Sequence, residues 1–414
     1  MRVVGRVWIL SWVMLAWACH APATAGENSV APRSAFSADE LKRIYQLSPL
    51  PAPPVDPSNG VASSCKAAAL GQRMFFDKNL SAHKDIACAS CHDPVKGWAD
   101  GRALSHGIAD GKRNTPSLWN VAFNRWYFWD GRADSLWSQA LKPIEDKAEM
   151  GGNRLAIARY IEGDPDLRER YEEVFGALPT LAPENSSGSE ATAVNRIFAD
   201  TGKAIAAFEA HIVSGHSPFD VYVEGLKDGD PAKLSAMSES AVRGLRLFVG
   251  KGNCTLCHNG PNFTDGAFHD LGVVASSKVP ATDSGRFDGV KALLKDEYNL
   301  AGPYSDDASG ASADKVRYVL DGPANWGQVK TPSLRNVAQT APYMHQGQLG
   351  DLRSVIEVYS ELQGVDTSDP HREQVITALH LSEAQIDDLT AFLRSLSEIK
   401  PDERLSAPGT LTCP

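Results

Sequence analysis

The 414-residue sequence has no surplus of positive charge. Its 41 Lys and Arg are outnumbered by 51 Asp and Glu, a formal charge of −10, which argues against nucleic acid as a partner. It also lacks a leading hydrophobic run long enough to cross a bilayer. The apolar stretch Val7 to Ala18 is about twelve residues, whereas a spanning helix needs about twenty. No run of alternating apolar and polar residues competes with the helical patterns, which counts against a sheet protein. With 43% hydrophobic and 22% charged residues the chain is neither a disordered tail nor a polytopic membrane protein. At roughly 100 to 200 residues per domain there is room for two domains and an insertion.

Arg2 and Arg6, the short apolar run and the small residues Ala23-Thr24-Ala25 read as a cleaved export signal, residues 1–25, and hence as a periplasmic protein. An uncleaved anchor is disfavoured by the shortness of the run. Lipid attachment at Cys19 is disfavoured by the bulk of Trp17. Loss of the signal removes two positive charges and leaves the mature chain near −12, so a partner would dock through a local patch.

Cysteine is scarce, with seven in the chain, but four are arranged as Cys88-Ala89-Ser90-Cys91-His92 and Cys254-Thr255-Leu256-Cys257-His258. Each C-x-x-C-H motif is the attachment signature of covalent c-type haem: both thiols add to vinyl groups, and His92 or His258 becomes the proximal iron ligand. A redox C-x-x-C pair has no use for the following His, and zinc would need two further ligands per site. With Cys19 leaving in the signal, Cys65 and Cys413 remain. In an oxidising compartment they could form a disulfide tying the tail to the first domain.

An internal repeat organises the chain. Thr115-Pro116-Ser117-Leu118-Trp119-Asn120-Val121-Ala122 recurs as Thr331-Pro332-Ser333-Leu334-Arg335-Asn336-Val337-Ala338, an offset of 216 that also aligns Gly131 with Gly347 and Leu136 with Leu352. The first haem motif lies 27 residues before its copy and the second 77, which places an insertion of about fifty residues near 268–322, read as an extended surface loop. Apolar residues recur at helical spacing around Leu41, Ile44 and Tyr45, from Ala191 to Ile212, and at Ile386, Leu389, Leu393 and Leu396 after a Ser382 cap. Pro179 to Ser189 reads as a loop. The expected fold is mainly α: two cytochrome c-like haem domains packed side by side. The expected divisions are a proline-rich lead-in 26–62, an N-terminal haem domain 63–215, a C-terminal haem domain 216–400 with its insertion, and a tail 401–414.

Ser105-His106-Gly107, Arg113-Asn114-Thr115-Pro116, Phe128-Trp129-Asp130-Gly131-Arg132, Ala148-Glu149-Met150 and Thr340-Ala341-Pro342-Tyr343-Met344-His345 flank the two motifs. With them the chain resembles the bacterial di-haem cytochrome c peroxidase and MauG superfamily from about Leu70 to Leu396. The resemblance implies that the haem on His92 reacts with hydrogen peroxide and that the haem on His258 stores and passes electrons. It makes Glu149 the distal acid-base group and places His106 in the distal pocket. Trp129 becomes the indole between the haems. Asn114, Thr340 and Pro342 become holders of an interdomain calcium, a hard cation suited to oxygen donors. Where classical members use Met as the second haem's distal ligand, an ungapped register puts Tyr359, as in the MauG branch. A phenolate favours ferric and higher states, whereas a thioether raises the potential. Met344 lies nearby as an alternative ligand.

Three functions follow. In the first, a MauG-like enzyme uses peroxide to oxidise a residue of a partner protein, which Tyr359 favours. In the second, a classical peroxidase takes electrons from a small cytochrome or cupredoxin, which Glu149 and His106 favour. The third, a plain di-haem electron carrier, leaves a distal acid without a use. By resemblance the assembly is a monomer or homodimer.

Overall fold

The computed structural model describes residues 35–181, 189–274, 283–398 and 402–412. The export signal, Cys19, Cys413 and most of the Pro179–Ser189 loop lie outside the described residues.

Helices dominate, as the periodicity predicts. The first half carries α1 (Ala38–Gln46), α2 (Cys65–Phe75), α3 (Cys88–Cys91), α4 (Leu136–Glu145), α5 (Arg154–Gly163), α6 (Pro165–Phe175) and α7 (Ser189–Glu209). The second carries α8 (Pro218–Asp228), α9 (Pro231–Leu234), α10 (Glu239–Val249), α11 (Arg286–Lys295), α12 (Asp314–Arg317), α13 (Leu352–Glu361) and α14 (Glu383–Arg394). A two-residue antiparallel pair, β1 (Phe268–His269) with β2 (Val329–Lys330), is the one sheet among the described residues. Reciprocal capping boxes start α1 (Ser37 with Glu40) and α14 (Ser382 with Gln385), satisfying first-turn N–H groups that the helix itself leaves unpaired.

Two apolar cores form. One runs from Leu70 to Ile212 around α2, α4 and α7, and the other joins Phe219 to Phe263 with Val337 to Leu396 around α8, α10 and α14. Each depends on a close helix crossing at a glycine. A Cβ on Gly71 would lie 1.9 Å from Ala204 O, and one on Gly244 would lie 2.0 Å from Asp388 O, so no other residue permits those approaches.

The repeat survives in three dimensions. Asn120 and Asn336 both take left-handed backbone, φ 59° and 58°, as do Phe128 and Met344, φ 64° and 69°. Asn120 Oδ1 accepts from Ser214 N (2.9 Å), and Asn336 Oδ1 accepts from Glu398 N (2.7 Å). Each asparagine thereby fastens its repeat segment to the chain that follows a core helix.

One expectation is corrected, and the packing of the two terminal segments is added to it. The insertion is not an extended surface loop: it holds α11, and its Tyr298 and Tyr304, ring-stacked at 5.0 Å, join the first core. Apolar burial of Val290, Leu293 and Leu300 outweighs the loop-like composition. The lead-in packs on the second domain, where Phe36, Ile44 and Leu47 are buried in its core. The tail returns to the first domain, where Leu405 is buried and Leu411 N donates to Gln72 Oε1 on α2 (2.8 Å). Cys65, at the start of α2, is disulfide-bonded; the expected partner, Cys413, is outside the described residues.

Candidate active site

Both C-x-x-C-H segments form a single helical turn, so the two thiols emerge on one side and the histidine follows at once. His92 Nδ1 lies 3.1 Å from Trp98 O, and His258 Nδ1 lies 2.9 Å from Phe263 O. A carbonyl oxygen only accepts, so Nδ1 carries the proton in each ring and Nε2 keeps its lone pair for a metal. Trp98 and Phe263 reach these carbonyl positions through left-handed backbone, φ 60° and 51°. Burial lowers the pKa of both imidazoles, keeping them neutral.

Cys88, Cys91, Cys254 and Cys257 are free thiols. Burial pushes Cys91 up to about 11 and Cys254 up to about 12, and raises Cys88 further. A reactive redox pair needs a thiolate, which the surroundings of Cys88, Cys91 and Cys254 disfavour; addition to a haem vinyl group removes the ionisable thiol altogether. One other group of potential ligands, Cys257, Asp265 and His269, lies together beside the second motif. There both His269 nitrogens are engaged, Nε2 by Asp265 and Nδ1 by Glu373, each at 2.8 Å, and these partners hold the ring as an imidazolium. An imidazolium has no lone pair to offer a metal. Two covalent haems fit this donor set.

Around the first centre, the loop carrying His106 lies against the segment carrying Glu149. Ile108 N donates to Glu149 O (3.0 Å) and Ala109 N to Ala148 O (2.9 Å), and a Cβ at Gly107 would lie 2.3 Å from Glu149 O. Cys91 Sγ, 3.7 Å from His106 O, ties the loop to the attachment turn. Burial raises the Glu149 pKa; Arg132 opposes this and Asp146 adds to it. The Arg132 guanidinium stacks 3.5 Å over the Phe128 ring and is held by Asp130 at 3.2 Å. His106 is expected in the distal pocket of the first haem. Its carbonyl lies beside Cys91 Sγ, while its ring is 45% exposed and bonds the exposed Asp110 carboxylate at 2.6 Å.

Between the centres the repeat becomes an interface. Asn114 N donates to His345 O (2.8 Å) and Lys330 N donates to Trp129 O (2.7 Å), a reciprocal exchange between residues related by the 216 offset. The Trp129 and His345 rings meet edge-on at 6.4 Å, and Trp129 Nε1 donates to Asn114 O (2.9 Å). The Asn114 side-chain amide donates to Arg102 O (2.7 Å), while Thr340 packs against the first domain at Gly97. The latter contact brings the Thr340–Pro342 segment to the domain junction. Sequence reasoning missed Lys330 and His345, although the repeat register pairs them with Asn114 and Trp129.

At the second centre, Tyr359 on α13 shares an apolar cavity with Leu271, Val273, Met344, Val358 and Leu362. Its hydroxyl is within electrostatic reach of Cys254 and Cys257, and burial keeps it protonated in the protein without haem. Both expected ligand candidates, Tyr359 and Met344, therefore line one cavity.

The di-haem cytochrome c peroxidase family model matches residues 65–228. The methylamine utilization protein MauG of Methylorubrum extorquens is 30% identical over 413 residues, 97% of each chain. The cytochrome c551 peroxidase of Pseudomonas aeruginosa is 30% identical, covering 80% of this chain and 79% of its own. A crystal structure of a MauG-like protein associated with microbial copper homeostasis superposes with a TM-score of 0.63 at 26% identity, covering 88% of this chain and 96% of its own. With paired C-x-x-C-H turns, oriented histidines and full-length similarity in agreement, this chain belongs to the di-haem cytochrome c peroxidase family and is a haem peroxidase.

Proposed function

We propose that the protein is a periplasmic, MauG-like peroxidase that takes hydrogen peroxide at the first centre and oxidises a residue of a partner protein. The carrying observation is Tyr359, which lines an apolar cavity on α13 within electrostatic reach of Cys254 and Cys257. When bound, covalent haem supplies an iron that accepts electrons and stores oxidising equivalents.

In this reading Glu149 takes a proton from the near oxygen of peroxide and returns it to the leaving oxygen, and the raising of its pKa by burial favours the return step. His92 and His258, each fixed at Nδ1 by a backbone carbonyl, would offer Nε2 to the iron of its haem. Trp129 provides an aromatic step between the domains. Its Nε1–H is committed to a backbone carbonyl, which accepts no proton, so the indole keeps its proton. Asn114 with the carbonyl oxygens of Thr340 and Pro342 would hold calcium at the junction, with water completing the shell.

A second reading, a classical peroxidase fed by a small cytochrome or cupredoxin, is favoured by Met344 lining the same cavity as Tyr359. Adding peroxide to the fully oxidised protein separates the two. A persistent optical change without prior reduction is expected for the MauG-like enzyme; no change until one centre is reduced would overturn that reading in favour of the classical one.

A further inference from the structure

Glu209 is a buried carboxyl for which the chemistry described so far has no use. It is the last residue of α7, is 3% exposed, and its Oε2 has no hydrogen-bond partner among the described residues. An orphaned buried carboxylate oxygen is costly, so the group resides there either protonated or facing a compensating charge. Burial alone raises its pKa to about 8, and no cation among the described residues offsets it. The end of a helix, where carbonyl dipoles converge, adds to the cost of negative charge.

The groups that feel Glu209 are Cys88 of the first attachment turn and the phenol of Tyr127, itself kept neutral by burial. Glu149 also reaches Cys88, so two carboxyl groups act on one thioether position. His211, two residues on, feels Arg404 and Asp402 instead. The packing agrees: Cys88 lies against the first core, and Phe208, next to Glu209 in the chain, meets at 6.4 Å the ring of Trp98, whose carbonyl holds His92. Glu209 is thereby placed to sense the charge of a haem attached at Cys88.

We propose that Glu209 is the redox-linked proton store of the first haem. When that haem gains an electron from the second haem or an added reductant, its charge falls by one and the Glu209 carboxylate takes a proton from water. When the electron leaves, the O–H bond breaks and the proton returns. The inference rests on haem attachment at Cys88 and not on the MauG-like reading.

The test is a spectroelectrochemical titration of the holo-protein at several pH values, with the second haem as internal control. The wild-type potential of the first haem should fall as pH rises through the window around 8, by up to about 59 mV per tenfold change in proton concentration. Glu209→Gln, a permanent mimic of the neutral acid, should show a flat potential equal to the wild-type acid plateau, and Glu209→Asp should restore a slope. A slope retained in Glu209→Gln, or absent from the wild type, overturns the proposal. Should the Gln variant fail to take up haem, infrared difference spectra of the wild type decide: a protonated carboxyl band must appear on reduction, and its absence refutes the store. The peroxide test on oxidised protein is unaffected by either result.

Discussion

Glu149 is caught between opposing influences: burial raises its pKa and the Arg132 guanidinium restrains the rise. As a base it must be ionised to accept the peroxide proton, so the rate should fall as pH drops through this raised value. Replacing Arg132 by Gln removes the restraint, and the acid limb of the peroxide reaction should move to higher pH in stopped-flow traces. A limb that stays in place would separate Arg132 from Glu149. Glu149→Gln should slow the reaction by about 10² or more, the usual scale for losing an acid-base group; wild-type kinetics would remove Glu149 from the mechanism. Tyr359→Phe should abolish the oxygen-ligand signature of the second haem and leave it high-spin. An unaltered spectrum would make Tyr359 a packing residue.

Helix α8 shows how a cap becomes a tertiary anchor. Ser217 and Asp220 form its capping box, and the same Asp220 carboxylate receives Arg335 at 2.8 and 3.0 Å and Ser48 Oγ at 2.7 Å. Arg335 stands where the first repeat has Trp119, so one substitution between the repeats supplies the buried cation. Burial by itself would raise the Asp220 pKa; Arg335 and Ser217 hold it at about 2. Because the folded value lies below the ordinary one of about 4, this contribution is complete above about pH 4 and is lost as pH falls toward about 2. Asp220→Asn leaves Arg335 buried without its counter-charge and should cost about 3–5 kcal/mol near neutral pH, with a shallower acid limb in denaturant titrations. Equal stability at pH 7 would show that the pair contributes nothing.

The two halves are joined by charge as well as by the Trp129–His345 contact. Arg113 of the first domain binds Asp283 at 2.6 and 2.8 Å and Asp130 at 2.5 Å. From the insertion, Asp296 pairs with Lys142, Glu297 with Arg154, and Asp306 with the buried Lys203. The insertion thus clamps the first domain rather than decorating the second. Arg113→Met would take the guanidinium from the half-buried Asp283 and leave Asp130 with Arg132 alone, and should destabilise the junction by about 3–5 kcal/mol, splitting the calorimetric transition into separate events for the two halves. One unshifted transition would show that the apolar contacts suffice.

The attachment turns, the helices with their caps and the duplicated plan were legible in the chain itself, because each is written in neighbouring residues: thiols two apart before a histidine, apolar residues every three or four, a segment repeated at a fixed offset. What the chain could not display are partners brought together by folding, such as Trp98 O for His92, Arg335 for Asp220, or the pairing of Trp129 with His345. The outward turn of His106, the docking of α1 on the far domain and the solitary carboxyl of Glu209 belong to the same class. Burial, charge compensation and ring contact are properties of a packed neighbourhood, and that neighbourhood comes into being only when segments distant in the chain share one core.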